Sequence, residues 1–350
     1  MRDLLVVGGG PAGLASALYA ARGGLEVTVW DRRAGDIDKA CGEGLLPGAV
    51  SALAGIGVTP VGRALVGIRY LAGQHAVEAP FRWGPGRGVR RTTLHAAMRA
   101  AAETCGVTLE QRAAREIRPE ADGVRVDDQR FRYVVAADGL HSPIRRRLGL
   151  EGRAAPRRRY GLRRHYRLAP WTPFVEVHWA GSLEAYLTPV ADDLLGVALL
   201  TSQRGSFDDH LAHLPGVASR LRDAEPLGGV LGAGPLRQRA RIRVAGRVLL
   251  VGDAGGYVDA LTGEGVAMAV AQARAAVAAI LDHDPERYER DWHSITRRYR
   301  MLTASLLGAT RWPTVRRALV PTAARLPGVF AAAVNALARP ENAGPSRSAG

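Results

Sequence analysis

The segment from Leu4 to Arg33, LLVVGGGPAGLASALYAARGGLEVTVWDRR, narrows the choice of fold more than any other part of the chain. An apolar run, Leu4 to Val7, enters Gly8-Gly9-Gly10-Pro11-Ala12-Gly13, and an alanine- and leucine-rich helical pattern follows to Arg22, where Gly23-Gly24 ends it. A second apolar strand, Val27 to Trp30, then delivers Asp31 and Arg32. Strand, glycine turn, helix, strand and acid in that order read as a βαβ unit with GxGxxG spacing at Gly8, Gly10 and Gly13. Gly8 permits the tight turn, Gly10 lets the backbone approach a pyrophosphate, and Gly13 lets the helix lie close to the strand. The helix start at Pro11-Ala12 turns free N–H groups towards the phosphates, while Asp31 is placed to accept hydrogen bonds from a ribose diol.

A chain of 350 residues can bury a full core and is long enough for two intimately joined domains. Its net charge of +15 raises the question of nucleic acid or a membrane surface, but the basic residues spread along the whole length and Lys39 is the only lysine among 48 of them. That arginine bias, with abundant alanine and glycine, points to coding composition rather than selected contacts, so no nucleic-acid partner is expected. Cys41 and Cys105 offer neither a disulfide framework nor a metal spacing; a metal-free, cytoplasmic protein is the expectation. The apolar N-terminus lacks a basic leader and a cleavage site and so does not read as a signal peptide. The apolar stretch 318–338 is broken by Pro321, Arg325 and Pro327, which argues against a spanning helix.

Further along, Ala64 to Leu71 and His75 to Phe81 alternate as a hairpin, and an amphipathic helix follows from Thr93 to Thr104 with Thr92 or Thr93 as its N-cap. Arg91 at its start is within reach of phosphate or ribose. The strand ending at Ala136 releases Asp138-Gly139, and Ser142-Pro143 opens another helix. Arg247 to Val251 repeats this device with Gly252-Asp253, followed by Thr262-Gly263-Glu264-Gly265 and a long alanine-rich helix from Val266 to Leu281. Between the two lie four strands, Tyr160 to Leu168, Phe174 to Trp179, Glu184 to Pro189 and Leu194 to Thr201, read as antiparallel. Their His165, Tyr166, His178, Trp179 and Tyr186 are the candidate contacts to a small-molecule substrate. Short amphipathic pieces after Asp282 are expected to cap this sheet in preference to resting on a membrane.

Three motifs, GGGPAGLASA at 8–17, ADGLHSPIR at 137–145 and VGDAGGYVDALTGEGVAMA at 251–269, in this order resemble the FAD-dependent oxidoreductases grouped with para-hydroxybenzoate hydroxylase and geranylgeranyl reductase. The resemblance implies an α/β fold: a Rossmann-like FAD-binding domain (1–61, 85–154 and 236–300), an inserted antiparallel β-sheet substrate domain (62–84 and 155–235), a C-terminal helical cap (301–339) and a disordered tail (340–350). It places Gly8, Gly10, Pro11, Ala12, Gly13, Asp31, Arg32 and Arg91 around the ADP of FAD, and Asp138 and Arg145 at the second motif. Gly252, Asp253, Gly263, Glu264 and Gly265 fall beside the ribityl chain and the ring. Cys41-Gly42-Glu43-Gly44 resembles the segment that faces the flavin in the reductase branch, which makes Cys41 the one flavin-proximal candidate for chemistry, with Gly42 beside it.

Departures matter as well. Gly256 and Ala260 stand where the hydroxylases carry histidine and proline, Glu184-Ala185-Tyr186-Leu187-Thr188-Pro189 keeps only the proline of the reductases' YxWxFP motif, and the tryptophan-rich motif and catalytic lysine of the flavin-dependent halogenases are missing. The resemblance leads to the expectation of an aromatic monooxygenase using NAD(P)H and a flavin C4a-hydroperoxide on a phenolic or polyketide-like substrate of secondary metabolism. The alternative is a reductase of isoprenoid double bonds.

Overall fold

Leu4, Leu5 and Val6 of the strand Arg2–Val7 are all 0% exposed, so this strand needs a packed layer on each face and a place at the centre of a sheet. A computed structural model describes residues 1–154, 158–261 and 263–340. Arg2–Val7 pairs in parallel with Val27–Asp31 on one side and with Gln129–Ala136 on the other. Thr108–Gln111 and Val248–Leu250 extend the sheet in parallel at its two flanks. The parallel strands end at one edge, and the strand order reverses beside Arg2–Val7, which sets the ligand crevice of such a sheet outside Val7. Helices Pro11–Arg22, Arg91–Thr104 and Gly265–Leu281 cover one face, where Leu14, Leu18, Met98 and Val277 pack with Val6 and Val29. On the other face Leu5, Trp30 and Phe131 pack with Val124 and Ile144, from a small antiparallel ribbon and the helix Pro143–Arg147.

A second, seven-stranded sheet runs in the order Glu225–Ala233, Tyr160–Arg167, Leu194–Thr201, Leu183–Ala191, Phe174–Ala180, Gly67–Ala72, His75–Pro80. Its neighbours are antiparallel except Phe174–Ala180 with Gly67–Ala72, which come from distant parts of the chain and need no hairpin between them. One face carries Leu187, Leu195, Val197 and Leu199 against the helices Phe207–Leu211 and Pro215–Leu221.

The structure departs from the sequence reading at several places. The expected strand Ala64 to Leu71 breaks at Val66, whose N–H bonds Pro173 O and whose carbonyl accepts from Phe81, so its halves join two different sheets. The third helix begins at Arg91, without help from Thr92 or Thr93; the Glu43 carboxylate, 2.7 Å from the Arg91 N–H, occupies the capping position. The glycine-rich edge strand Glu225–Ala233 carries no alternation to announce it. The helix Arg287–Ala309 runs straight through residue 300, where the cap was expected to start, because one helix serves two cores. Its Tyr288 and Trp292 pack with the first sheet's helices and its Leu306 and Leu307 with the second sheet. Of the expected tail, 341–350 lies outside the described residues. No helix among the described residues is long and apolar enough to cross a membrane.

Helices Pro313–Arg325 and Pro327–Leu337 lie along the edge of the second sheet, where Val320 and Phe330 pack with Tyr70 and Trp179. Asn335 fastens the last helix: its Oδ1 accepts from Arg82 N at 2.7 Å, its Nδ2 donates to Pro80 O, and its carbonyl accepts from Trp83 Nε1. Asn335→Ala leaves a partly buried N–H and a carbonyl without partners, an expected loss of about 1–3 kcal/mol. Limited proteolysis with mass readout should find the variant cut first after residue 325; identical cleavage of variant and wild type contradicts this anchoring.

Candidate active site

Along the carboxyl edge of the first sheet, turns approach each other at backbone distance. A Cβ on Gly8, whose φ is +108°, would lie 2.4 Å from Ala137 O, and one on Gly13 would lie 1.8 Å from Gly8 O. No other residue fits either position. Asp31 Oδ2 accepts from Gly9 N at 2.8 Å and its oxygens also take the Arg33 guanidinium and N–H. Burial opposes its charge, but the Arg33 side chain and the N–H groups of Arg33 and Gly9 outweigh it and hold the carboxyl below its usual range. Gly8, Gly10, Pro11, Ala12, Asp31, Arg32 and Arg91 all line one large cavity, whereas Gly13 lies beneath it as a packing residue.

Sequence reasoning missed His95. It is buried, its Nδ1 accepts from Ile37 N at 3.2 Å, and its Nε2 reaches Gly9 O at 3.0 Å. It thereby pins the glycine turn to the loop after the second strand. The available signal was its position one helical turn after Arg91, on the same helix face.

The second and third motifs meet at Arg145, which does not reach the cavity. It is 0% exposed and donates to the carbonyls of Leu140 and Ala254 and to Gln238 Oε1. Its role is to tie the two turns together, because an arginine on the first turn of the helix Pro143–Arg147 points into the sheet's own end rather than out of it. Asp138 does line the cavity. Its Oδ2 accepts from Ile144 N at 3.1 Å, its Oδ1 is buried without a partner, and burial raises its pKa. Asp253, Gly252, Gly263 and Gly265 also line it, with Lys39 Nζ 3.1 Å from Asp253 Oδ2. Glu264 is the N-cap residue of the helix Gly265–Leu281 and lies outside the lining; Thr262 falls outside the described residues.

The loop from Lys39 to Gly44 bridges these turns to the second sheet. Lys39 holds it at Asp253, Thr188 Oγ1 donates to Gly42 O at 2.7 Å, and Gly44 lies against Val175 and Leu65. Glu43, at φ +56°, turns its carboxylate into the protein: Oε1 takes the Arg91 N–H and Oε2 lies 2.5 Å from His165 Nε2. His165 in turn touches Arg163, which pairs with Asp38. Cys41 lines the cavity next to this chain; burial first, and then the Glu43 carboxylate, push its thiol up to about 11. It is a protonated thiol at neutral pH.

The sheet face that carries Arg163, Ala198, Tyr186, Val177 and Tyr70 in register supplies the rest of the cavity wall. Of the five substrate candidates, Tyr186 alone lines the cavity, with its hydroxyl donated to Leu261 O. His165 is on the same face but is consumed by Glu43; Trp179 packs with Tyr70 and the C-terminal helices. His178 projects from the opposite face, where Glu176 lies 3.1 Å away. Tyr166, the other aromatic weighed, is buried against Phe207.

The whole cavity measures about 930 Å³ and runs from Asp31 through the glycine turns to Leu306, Val334 and Leu337 of the C-terminal helices. A dinucleotide fits its first part: the cradle at Gly8 and Gly10 admits backbone-close phosphate, and Asp138, whose Oδ1 is buried without a partner, lines the same space. Residues 1–165 match the model of the FAD binding domain family. The chain is an FAD-dependent oxidoreductase.

Its curated relatives include menaquinone reductase of Mycobacterium tuberculosis, 29% identical with 86% of this chain and 83% of that protein covered. Another is digeranylgeranylglycerophospholipid reductase 2 of Methanosphaera stadtmanae, 27% identical over 75% and 74% of the two chains. Among solved structures, a flavoprotein/dehydrogenase from Cytophaga hutchinsonii superposes with a TM-score of 0.75 at 16% identity, covering 95% of this chain and 96% of that one. The flavin-dependent halogenase CmlS does so with a TM-score of 0.73 at 22% identity, where this chain covers 62% of the halogenase. The structural likenesses show that the chain shares the fold of these flavoproteins.

With its thiolate fraction at pH 8 near ~10⁻³, Cys41 is expected to react with iodoacetamide at least about tenfold more slowly than an ordinary thiol, and faster as pH rises towards 11. Mass spectrometry resolves it from Cys105; rapid, pH-independent labelling of Cys41 contradicts the assignment.

Proposed function

We propose that this oxidoreductase reduces a carbon–carbon double bond of a lipophilic, isoprenoid-type small molecule, with NAD(P)H as the source of electrons. The observation that carries this reading is the placement of Cys41, a protonated thiol, in the wall of a cavity whose remaining lining is largely apolar: Ile68, Tyr70, Val175, Val177, Leu306 and Leu337. The two curated relatives, whose likeness extends well beyond the FAD-binding half, are named as reductases of menaquinone and of a digeranylgeranyl lipid, which supports the same class. The preference expected from sequence, aromatic hydroxylation, gains no such support.

FAD, when bound, supplies hydride chemistry. The chain's own part is to hold the substrate, exclude water and provide a proton. The glycine turns and Asp31 would hold the adenosine end of FAD, and Asp253 with Lys39 and the helix start at Gly265 would be the polar groups available to the rest of the cofactor. The apolar sheet face orients an alkenyl chain. Hydride delivered to one carbon leaves the other to take a proton, which the Cys41 Sγ–H donates. The thiolate is reprotonated from solvent by way of the adjacent Glu43–His165 pair, in which Oε2 and Nε2 lie 2.5 Å apart.

Anaerobic incubation of FAD-loaded protein with prenyl quinones and prenyl lipids plus NAD(P)H should yield a product two hydrogens heavier. Cys41→Ser should lower kcat by roughly 10²–10⁴-fold with FAD content unchanged. A product that gains one oxygen atom and requires air sinks the proposal in favour of hydroxylation.

A further inference from the structure

The segment Gly252–Asp253 has a second cavity against it. This smaller space, about 270 Å³, shares Gly252, Asp253, Tyr257, Gly265 and Ala269 with the large one, and its lining also takes in Arg237, Arg239, Arg243, Trp292 and Arg300, which lie outside the three motifs. Its arginines differ in how far they are committed. Arg243 is buried and bound to Glu289 Oε1 at 2.7 Å and to the carbonyls of Gly255 and Ala240. Arg237, Arg239 and Arg300, with Arg311 near them, have no carboxylate partner among the described residues. Glu289, the acid within reach, is already taken by Arg243 and His293, and Asp259 by Arg159.

The other polar groups of the lining are also mostly spoken for. Thr296 Oγ1 donates to Trp292 O, Tyr299 OH to Asp259 O, and Gln272 Oε1 accepts from Gly252 N; Asp253 faces Lys39. What stays free is a set of donors: the guanidinium groups of Arg237 and Arg239, that of Arg300 apart from its one contact to His293 Nδ1 at 3.3 Å, and Trp292 Nε1, which is buried with no partner. The Trp292 ring is itself positioned by Arg243 at 3.7 Å and Arg300 at 5.1 Å from its centroid. A cavity that offers donors and positive charge, with its acceptors committed elsewhere, is complementary to an oxyanion.

We propose that this cavity binds a phosphate-bearing ligand, with Arg237, Arg239 and Arg300 as its ligating residues and Trp292 Nε1 as a further donor. Arg237 and Arg300 are both held below the ordinary guanidinium range, first by burial and then by neighbouring arginines, a mutual repulsion that a bound anion relieves. The volume falls below the ~300–1,000 Å³ of pockets that enclose a whole drug-sized ligand. It therefore takes a phosphate group with little else, the end of a nucleotide or of a lipid headgroup. Because the wall at Gly252–Asp253 is common to both cavities, such a ligand lies against the polypeptide that lines the flavin site.

The test is calorimetric titration of the FAD-loaded protein with pyrophosphate, with 2′,5′-ADP, and with phosphatidylcholine vesicles containing or lacking phosphatidylglycerol. At least one is expected to bind saturably and more weakly as salt rises, and the Arg237→Gln/Arg300→Gln variant to bind it about tenfold or more weakly with unchanged FAD absorbance and melting temperature. Tighter binding of 2′,5′-ADP than of pyrophosphate assigns a nucleotide. Binding of the phosphatidylglycerol vesicles that pyrophosphate displaces assigns a lipid phosphate. Absence of saturable binding in every arm, or equal binding by the variant, overturns the site. No turnover is measured, so this outcome is independent of whether the enzyme reduces isoprenoid double bonds.

Discussion

The close approach of backbone to backbone at the strand ends is the constraint on which the rest of this molecule depends. Gly8 passes Ala137 O, and Gly13 passes Gly8 O, at distances where a Cβ would overlap the carbonyl. That contact draws the helix Pro11–Arg22 onto the sheet and brings the turns after Val7 and Ala136 within one ligand's width. The turn after Leu250 is added to them by Arg145, whose guanidinium spans carbonyls from both the second and third motifs. A buried arginine satisfied by main-chain oxygens acts as a cross-brace: its charge is costly to bury, and the carbonyls it serves would otherwise be orphaned.

Much of this half was legible because its signals are local. The GxGxxG spacing, the strand-Asp turns and the helix stop at Gly23-Gly24 each act within a few residues, and the expected elements formed within one or two positions. The loop Lys39 to Gly44 was legible only as unusual glycine content; what it touches, Asp253 on one side and Thr188 on the other, lies 214 and 146 residues away. The same distance problem misplaced Arg145 and His165. Both read as polar residues near a site, and both are absorbed by partners, Gln238 and Glu43, that no periodicity connects to them. The helix Arg91–Thr104 lacks a local cap for the same reason: its N-terminal N–H is satisfied by Glu43, 48 residues earlier.

The second sheet shows the complementary failure. Its alternation announced strands correctly, but alternation assigns residues to faces without saying which face is the cavity. Register decides that: Arg163, Ala198, Tyr186 and Val177 lie across from one another, so Tyr186 faces the cavity and His178, one residue from Val177, must face away. A one-residue difference along a strand separates a wall residue from a surface one.

The cavity wall next to Tyr186 is completed by charge. Glu184 is fully buried and holds Arg159 at 2.7 Å and Arg316 at 3.1 Å, and Arg159 also reaches Asp259 at 3.4 Å. Burial first, and then the Glu184 carboxylate, lift Asp259 to about 6, a rise that Arg159 opposes, so near neutral pH this cluster sits close to charge balance with two acids and two arginines. Desolvating four ions is poorly repaid in stability compared with an apolar core of the same volume. What the cluster does supply is direction: Arg316 belongs to the helix Pro313–Arg325, and Glu184, from the central strand Leu183–Ala191, gives that helix one polar seat beside an otherwise apolar contact where Val320 could slide. Apolar packing alone cannot fix the closing helix in register. A buried ion pair can, because any other register leaves a charge without its partner.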